Sequence, residues 1–138
     1  MKAVEIKIHN FRSICDATIE LDEYGVLVGV NNAGKTTAID AIRAFYGKGV
    51  KFDKGQDFPR KGASDGESWI EIEFRPTDDE YLLLKEEYKT SNKTFRVRNY
   101  LLSEAADDEG KPKSGPYAYV NGVLSNERFY GFKNVGQG

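Results

Sequence analysis

A glycine-rich stretch, LVGVNNAGKTTAIDAI at positions 27–42, holds the residues of this sequence that are best suited to chemistry. Its centre matches the pattern G-x-x-x-x-G-K-[ST] at every fixed position. A triphosphate needs many hydrogen-bond donors close together, and successive backbone N–H groups supply them where small residues let the chain curl. The pattern therefore predicts a loop that binds phosphate groups. The matching residues are Gly29, Val30, Asn31, Asn32, Ala33, Gly34, Lys35 and Thr36.

The side chains of the motif are expected to add charge and a metal ligand to this loop. A helix that begins near Gly34 would point its unpaired N-terminal amides and its positive dipole end at the anion. Lys35 would reach the β- and γ-phosphate oxygens, the hydroxyl of Thr36 would hold Mg²⁺, and Thr37 would contact the α-phosphate. We therefore predict that ATP and Mg²⁺ are the cofactors. The predicted nucleotide-binding residues of the motif are Gly29, Asn31, Asn32, Ala33, Gly34, Lys35, Thr36 and Thr37, with Thr36 as the metal ligand.

The elements that must position this loop are visible in the hydrophobic pattern around it. The segments KAVEIKIH and CDATIEL alternate between apolar and polar residues, which predicts an antiparallel hairpin turned by NFRSI. YGVLVGV has consecutive apolar residues, which is typical of a central parallel strand that is covered on both faces. After the loop, Ile39, Ile42, Phe45 and Tyr46 are spaced as the buried face of a helix that ends at Gly47.

The rest of the chain predicts further strands and one long loop. Residues 48–66 indicate a surface loop without elements of its own. SWIEIEF and TFRVRNYLL alternate as strands with Glu71 and Arg98 facing solvent, and Asn121-Gly122 predicts a two-residue hairpin turn. Thr77, three residues before Glu80, has the spacing of a capping box. The expected organisation is a P-loop core at 1–47, a basic loop at 48–66 and an antiparallel β/α subdomain at 67–138.

Composition limits the compartment and the partners. The 138 residues carry a net charge of −2, hold one cysteine (Cys15) and contain no run of eighteen apolar residues, so we expect a cytoplasmic protein with no membrane partner. Residues 43–62 hold six basic and two acidic residues, a balance of +4, whereas residues 64–90 hold three basic and nine acidic ones, a balance of −6. The basic stretch could face a polyanion such as DNA, or both stretches could be solvated surfaces.

The motif also has a recognisable setting. IKIHNFRSICDATIELDEYGVLVGVNNAGKTTAIDAI resembles the start of the ABC-type ATPases of the RecF, SMC and OLD-nuclease group, and the likeness runs from Ile6 to Phe45. It implies an α/β fold, the N-terminal lobe of an ABC-type P-loop NTPase with a flanking, mostly antiparallel β subdomain. The double Asn is most like OLD-family ATP-dependent endonucleases, which implies a role in DNA repair, DNA cleavage or phage defence. The resemblance also implies that Arg12 lies near the nucleotide, although it could equally be a surface arginine.

Hydrolysis in this group needs motifs that the sequence lacks. No run of four apolar residues ends in Asp-Glu, and no LSGG-like signature is present. We therefore expect the N-terminal part of a longer ATPase, which binds ATP without hydrolysing it alone and which forms a homodimer through its nucleotide sites in the full-length protein. A small P-loop kinase and a non-catalytic nucleotide-responsive module remain alternatives.

Overall fold

A computed structural model describes residues 2–21, 32–47, 51–90, 93–104 and 110–128. Within these ranges, six strands form one sheet in the order β2-β1-β3-β4-β5-β6, and every neighbouring pair is antiparallel. The predicted parallel strand YGVLVGV lies outside the described residues. The strands are β1 (Lys2–Phe11), β2 (Ile14–Glu20), β3 (Ser68–Arg75), β4 (Phe95–Leu102), β5 (Gly115–Val120) and β6 (Val123–Arg128).

One face of the sheet carries the core, as the alternating pattern predicts. Successive side chains of a strand point to opposite faces, so every second residue lies on the same side of the sheet, and in an alternating strand these residues are the apolar ones. The predicted hairpin of β1 and β2 is confirmed, with Ile8 opposite Ala17. β1 also pairs with β3, where Ile8 lies opposite Ile70, so the sheet joins segment 1–47 to segment 67–138. Fully buried apolar strand residues include Ile6, Ile8, Phe11, Ile70, Ile72, Phe95 and Val97.

A long helix, α1 (Asn32–Tyr46), packs on this apolar face, and Gly47 ends it with a φ of 66°, as predicted. The predicted buried face is wrong in part, because Ile39 is 41% exposed and Tyr46 is 46% exposed. Phe45 is buried as predicted, and the other buried residues are small: Ala38, Ala41 and Ala44.

The segment between α1 and β3 is more ordered than predicted. It contains a short helix, α2 (Lys54–Asp57), whose N-terminus is capped by the side chain of Asp53. The prediction of a loop without elements is wrong because this helix is present, and the prediction of a surface loop is wrong at Asp57, which is buried. After β3, the capping box of Thr77 and Glu80 is confirmed at the start of α3 (Asp78–Leu83), which is followed by a 3₁₀ turn at Glu86–Tyr88.

The second face of the sheet is charged but its centre is not solvated, which contradicts the prediction for Glu71 and Arg98. Glu71 is 3% exposed and accepts hydrogen bonds from Arg98 Nε at 3.1 Å and from the hydroxyl of Tyr119 at 2.7 Å. Burial, together with the hydrogen bond to Glu71, raises the pKa of Tyr119 to about 12. The guanidinium carbon of Arg98 lies 3.7 Å from the centre of the Trp69 ring, a cation–π contact.

The last described hairpin joins β5 to β6 through Asn121 and Gly122. Their φ angles are 52° and 80°, the left-handed values that this type of two-residue turn requires, so the prediction is confirmed. The expected α/β class with a mostly antiparallel sheet is also confirmed. No helix among the described residues is long and apolar enough to cross a bilayer.

Candidate nucleotide-binding site

The second half of the glycine-rich motif forms the beginning of α1. The helix starts at Asn32, so Gly34, Lys35, Thr36 and Thr37 lie in its first two turns. Lys35 and Thr36 are exposed there, and the first turn contains no acidic residue. Since the first N–H groups of a helix have no partner within it, this end attracts anions, and no nearby carboxylate of the first turn opposes one.

The first half of the motif cannot be placed in the same way. Gly29 and Asn31 lie outside the described residues, and Asn32 and Ala33 are described only as backbone of α1. The predicted wrapping of the loop around a phosphate therefore stays a prediction. The described half fits the predicted cofactors in its chemistry, because it offers a helix N-terminus, a cationic Lys35 and the hydroxyl oxygen of Thr36, a donor type that Mg²⁺ accepts.

Arg12 lies in the turn between β1 and β2 and is held by two carboxylates. Its guanidinium bonds Asp40 of α1 through Nη1 and Asp57 of α2 through Nε, the latter at 3.2 Å. Its backbone N–H also donates to the backbone carbonyl of Asp57. Arg12 itself has a φ of 57°, a left-handed backbone conformation that is uncommon for arginine. Burial lowers the pKa of Arg12, but the two carboxylates outweigh burial and raise it, so the guanidinium stays charged.

The pairing with Asp40 brings Arg12 to the helix that carries the second half of the motif. Asp40 follows Thr36 by four residues, and four residues of α-helix rise about 6 Å along the axis. The side chain of Arg12 is 34% exposed and that of Asp57 is 11% exposed. Nothing in the sequence indicated that Asp40 and Asp57 pair with Arg12, because they lie 28 and 45 residues from it along the chain.

A second polar cluster, the His9 cluster of His9, Asp16 and Asp65, lies at the same end of the sheet. His9 Nδ1 lies 2.7 Å from Asp16, and His9 Nε2 lies 2.9 Å from both carboxylate oxygens of Asp65. The ring of His9 stacks on Trp69 with 4.9 Å between the ring centres. The carboxylates bind opposite ring nitrogens and do not converge on a common point. No group of three or more His, Cys, Asp and Glu residues suited to a metal ion occurs in the described part of the chain.

Comparison with known proteins adds the family. A family model described as the AAA ATPase domain matches residues 1–134. The DNA double-strand break repair Rad50 ATPase of Thermoplasma acidophilum is 34% identical over 110 residues, which cover 75% of this chain. The chain spans only 12% of the length of that curated relative.

One solved structure shows the same fold at low sequence identity. It comes from work on ATP-driven dimerisation and DNA-stimulated activation of SMC ATPases; it has a TM-score of 0.52 and 15% identity, and the match covers 98% of this chain and 75% of that one. The SMC head domain from Thermotoga maritima has a TM-score of 0.47 and 15% identity, with coverage of 98% and 41%.

These findings confirm the expected fold, a P-loop NTPase with an antiparallel sheet, and the expected group of ABC-type ATPases related to RecF and SMC proteins. They do not address the narrower likeness to OLD-family endonucleases. The match to the family model extends over all but the last four residues, so the chain belongs to the AAA ATPase domain family.

Proposed function

We propose that this chain binds Mg²⁺ and ATP as the P-loop part of an ABC-type ATPase that acts on DNA. The observation that carries the proposal is the start of α1 at Asn32, inside the motif. It leaves Lys35 and Thr36 exposed at a helix N-terminus whose first turn holds no acidic residue. The family match supports the nucleotide, and the repair role in the name of the Rad50 relative supports DNA.

The proposed roles follow the chemistry of each group. The backbone amides from Gly29 to Thr36 wrap the β-phosphate, and Lys35 neutralises the β- and γ-phosphate oxygens. The hydroxyl of Thr36 would hold Mg²⁺, which would supply positive charge to offset that of the phosphate groups, and Thr37 would contact the α-phosphate.

Arg12 is the proposed contact from outside the motif. A guanidinium has five N–H donors spread over Nε and the two Nη atoms. Among the described residues, its carboxylate contacts use Nε and Nη1, which leaves the Nη2 donors for a phosphate oxygen. Asp40 and Asp57 would then hold Arg12 in position beside the nucleotide while one edge of its guanidinium faces the ligand.

The whole protein is proposed to use ATP as a dimer. Two copies would hold the nucleotide between them, and DNA would respond to the closed pair. The double Asn of the motif favours an OLD-like ATP-dependent endonuclease as the parent protein. Hydrolysis is then an activity of the whole protein, and we expect this chain alone to bind ATP without turnover.

Calorimetric titration with ATP in the presence of Mg²⁺ tests the proposal. Removing a charge-assisted contact costs about 1.5–3 kcal/mol, so Lys35→Ala should weaken binding by about tenfold to a hundredfold. Thr36→Ala should lose most of the gain in affinity that Mg²⁺ gives over EDTA.

The matched control is Lys85→Ala, which removes an exposed lysine far along the chain and should bind ATP as the unmodified protein does. ATP affinity that is unchanged by Lys35→Ala would refute the proposed site. Phosphate release is measured in the same samples, and release above the level of Lys35→Ala would contradict the assignment of hydrolysis to the whole protein.

A further inference from the structure

The segment from residue 51 to residue 61 presents an unbalanced positive charge to solvent. All eleven of its residues are described, and its four cations, Lys51, Lys54, Arg60 and Lys61, are exposed. Among the described residues, none of the four takes part in an ion pair. We call residues 51–61 the cationic segment.

The acids of the cationic segment are engaged in internal contacts. Asp57 is buried and bonds Arg12, and its second carboxylate oxygen accepts the backbone N–H of Asp53 at 2.9 Å. The side chain of Asp53 accepts the N–H of Gly55 at 2.9 Å and so caps α2. Asp57 is thus turned inward, and Asp53 is the one exposed acid of the segment beside its four exposed cations.

The cationic segment is also fixed to the rest of the fold. Phe52 packs against the hydrophobic core, and Pro59 is buried. The thiol of Cys15 on β2 lies 3.4 Å from the carbonyl oxygen of Lys61. With Arg12 bonded to Asp57 in the middle, the segment is anchored at several points along its length, so its cations are held on a preformed surface.

The composition of this surface favours one class of polyanion. Insertion at a membrane interface needs exposed apolar side chains beside the cations. The large exposed apolar residues of the described chain are Ile39, Tyr46, Leu82, Leu83 and Val123, and none belongs to the cationic segment. Exposed lysine and arginine without an apolar companion suit the phosphate backbone of a nucleic acid.

We propose that the cationic segment binds the phosphodiester backbone of duplex DNA. The inference rests on the proposed function, in which DNA is the partner, and it assigns the surface that meets it. Because Arg12 bonds both Asp57 of this segment and Asp40 of α1, the DNA-binding surface and the nucleotide-binding helix share one junction. The contacts are electrostatic and carry no sequence preference.

The test uses a fluorescently labelled duplex of mixed sequence and the charge reversal Lys51→Glu with Arg60→Glu, two exposed positions outside α2. Each phosphate contact contributes about 0.9 to the slope of log affinity against log salt. The double variant should bind at least about tenfold more weakly at low salt, and its salt slope should be smaller by about 2.

The matched control is Arg75→Glu with Lys85→Glu, which changes the net charge equally at two exposed positions elsewhere. It should retain DNA affinity within about twofold. Equal affinity of both double variants, or no binding of duplex by the unmodified protein, would overturn the inference. Tighter binding to phosphatidylserine vesicles than to DNA would overturn it in favour of a membrane.

ATP titration of the same variants separates this inference from the proposed function. If Lys51→Glu with Arg60→Glu leaves DNA binding intact while Lys35→Ala weakens ATP binding at least about tenfold, the assigned DNA surface is wrong and the nucleotide site stands. If Lys35→Ala leaves ATP affinity unchanged, the proposed function itself fails.

Discussion

At the scale of single residues, the main departure from the sequence-based prediction is that two charged side chains are largely buried. Glu71 and Arg98 occupy the sheet face opposite the core, and strand alternation alone assigns them to water. The aromatic rings of Trp69 and Tyr100 lie beside Arg98, with its guanidinium carbon 3.7 Å and 5.8 Å from their centres. A strand pattern gives the face of a residue but not the size of its cross-strand neighbours, so this burial could not be predicted.

A double-mutant cycle on Glu71 and Arg98 should detect strong coupling. Arg98→Met leaves the buried Glu71 with Arg96, at 3.8 Å, as its remaining cation, so the free energy of unfolding should fall by about 3 kcal/mol, the lower end for breaking a buried ion pair. Adding Glu71→Gln removes the poorly compensated charge, so the double variant should be less destabilised than the sum of the single ones. Urea unfolding measures all four proteins. Additive effects of the two substitutions would show that the pair is only a surface contact.

At the candidate site, the sequence predicted a role for Arg12 but not the residues that it contacts. The resemblance placed Arg12 near the nucleotide, but its two partners are distant in sequence and belong to a motif helix and to a segment with no recognised motif. Glycine spacing predicts a phosphate loop from local geometry alone. A long-range ion pair depends on how the elements pack, and no local pattern encodes that.

At the scale of elements, α1 shows that the helical spacing of large apolar residues does not by itself identify the face that packs on the sheet. The large residues Ile39 and Tyr46 have helical spacing, yet both are substantially exposed. Alanines at 38 and 41 are completely buried instead, because small side chains let the helix backbone approach the sheet closely. The end of α1 could be predicted from Gly47, whereas its start at Asn32, two residues before Gly34, and its packing face were not predicted.

The hairpin of β1 and β2 is joined to the segment before β3 by the His9 cluster. Burial lowers the pKa of His9, but its hydrogen bonds to Asp16 and Asp65 outweigh burial and raise it above 6.5. Burial raises the pKa of Asp65, and a backbone hydrogen bond from Glu67 together with the contact to His9 lowers it below 3.8. Both ring nitrogens face carboxylates, so the protonated form of His9 fits this arrangement.

Stability should therefore depend on pH through His9, the single histidine of the chain. Because the folded pKa lies above the unfolded value of 6.5, its contribution is fully present below pH 6.5 and is lost as pH rises through the folded pKa. The contribution of Asp65 is present above pH 3.8 and is lost as pH falls through its lowered pKa.

The variant His9→Gln isolates this effect. It should cost more stability at about pH 5.5 than at about pH 8.5, by on the order of 1 kcal/mol, since Asp16 is largely exposed and its attraction to His9 is weakened by solvent. Urea unfolding at both pH values measures the difference. An equal cost at the two values would mean that His9 contributes packing on Trp69 and no charge.

At the scale of the whole molecule, strand identity could be predicted but strand order could not. Alternation located the described strands, and Asn121-Gly122 located one turn. β3 lies between β1 and β4, so β1 pairs on both of its edges. The sheet thereby links the P-loop segment to the predicted antiparallel subdomain, a connection that was not visible in the hydrophobic pattern.

The central claim is that main-chain amides around the start of α1 bind the phosphates of ATP. Amide NMR spectra of the chain test it directly when Mg²⁺ is present with ATP, ADP or AMP. We predict that ATP and ADP shift the amide signals of Gly34, Lys35 and Thr36, and that AMP, which lacks a β-phosphate, leaves them nearly unchanged. Unchanged signals at these residues with saturating ATP, or equal shifts with AMP, would contradict the claim.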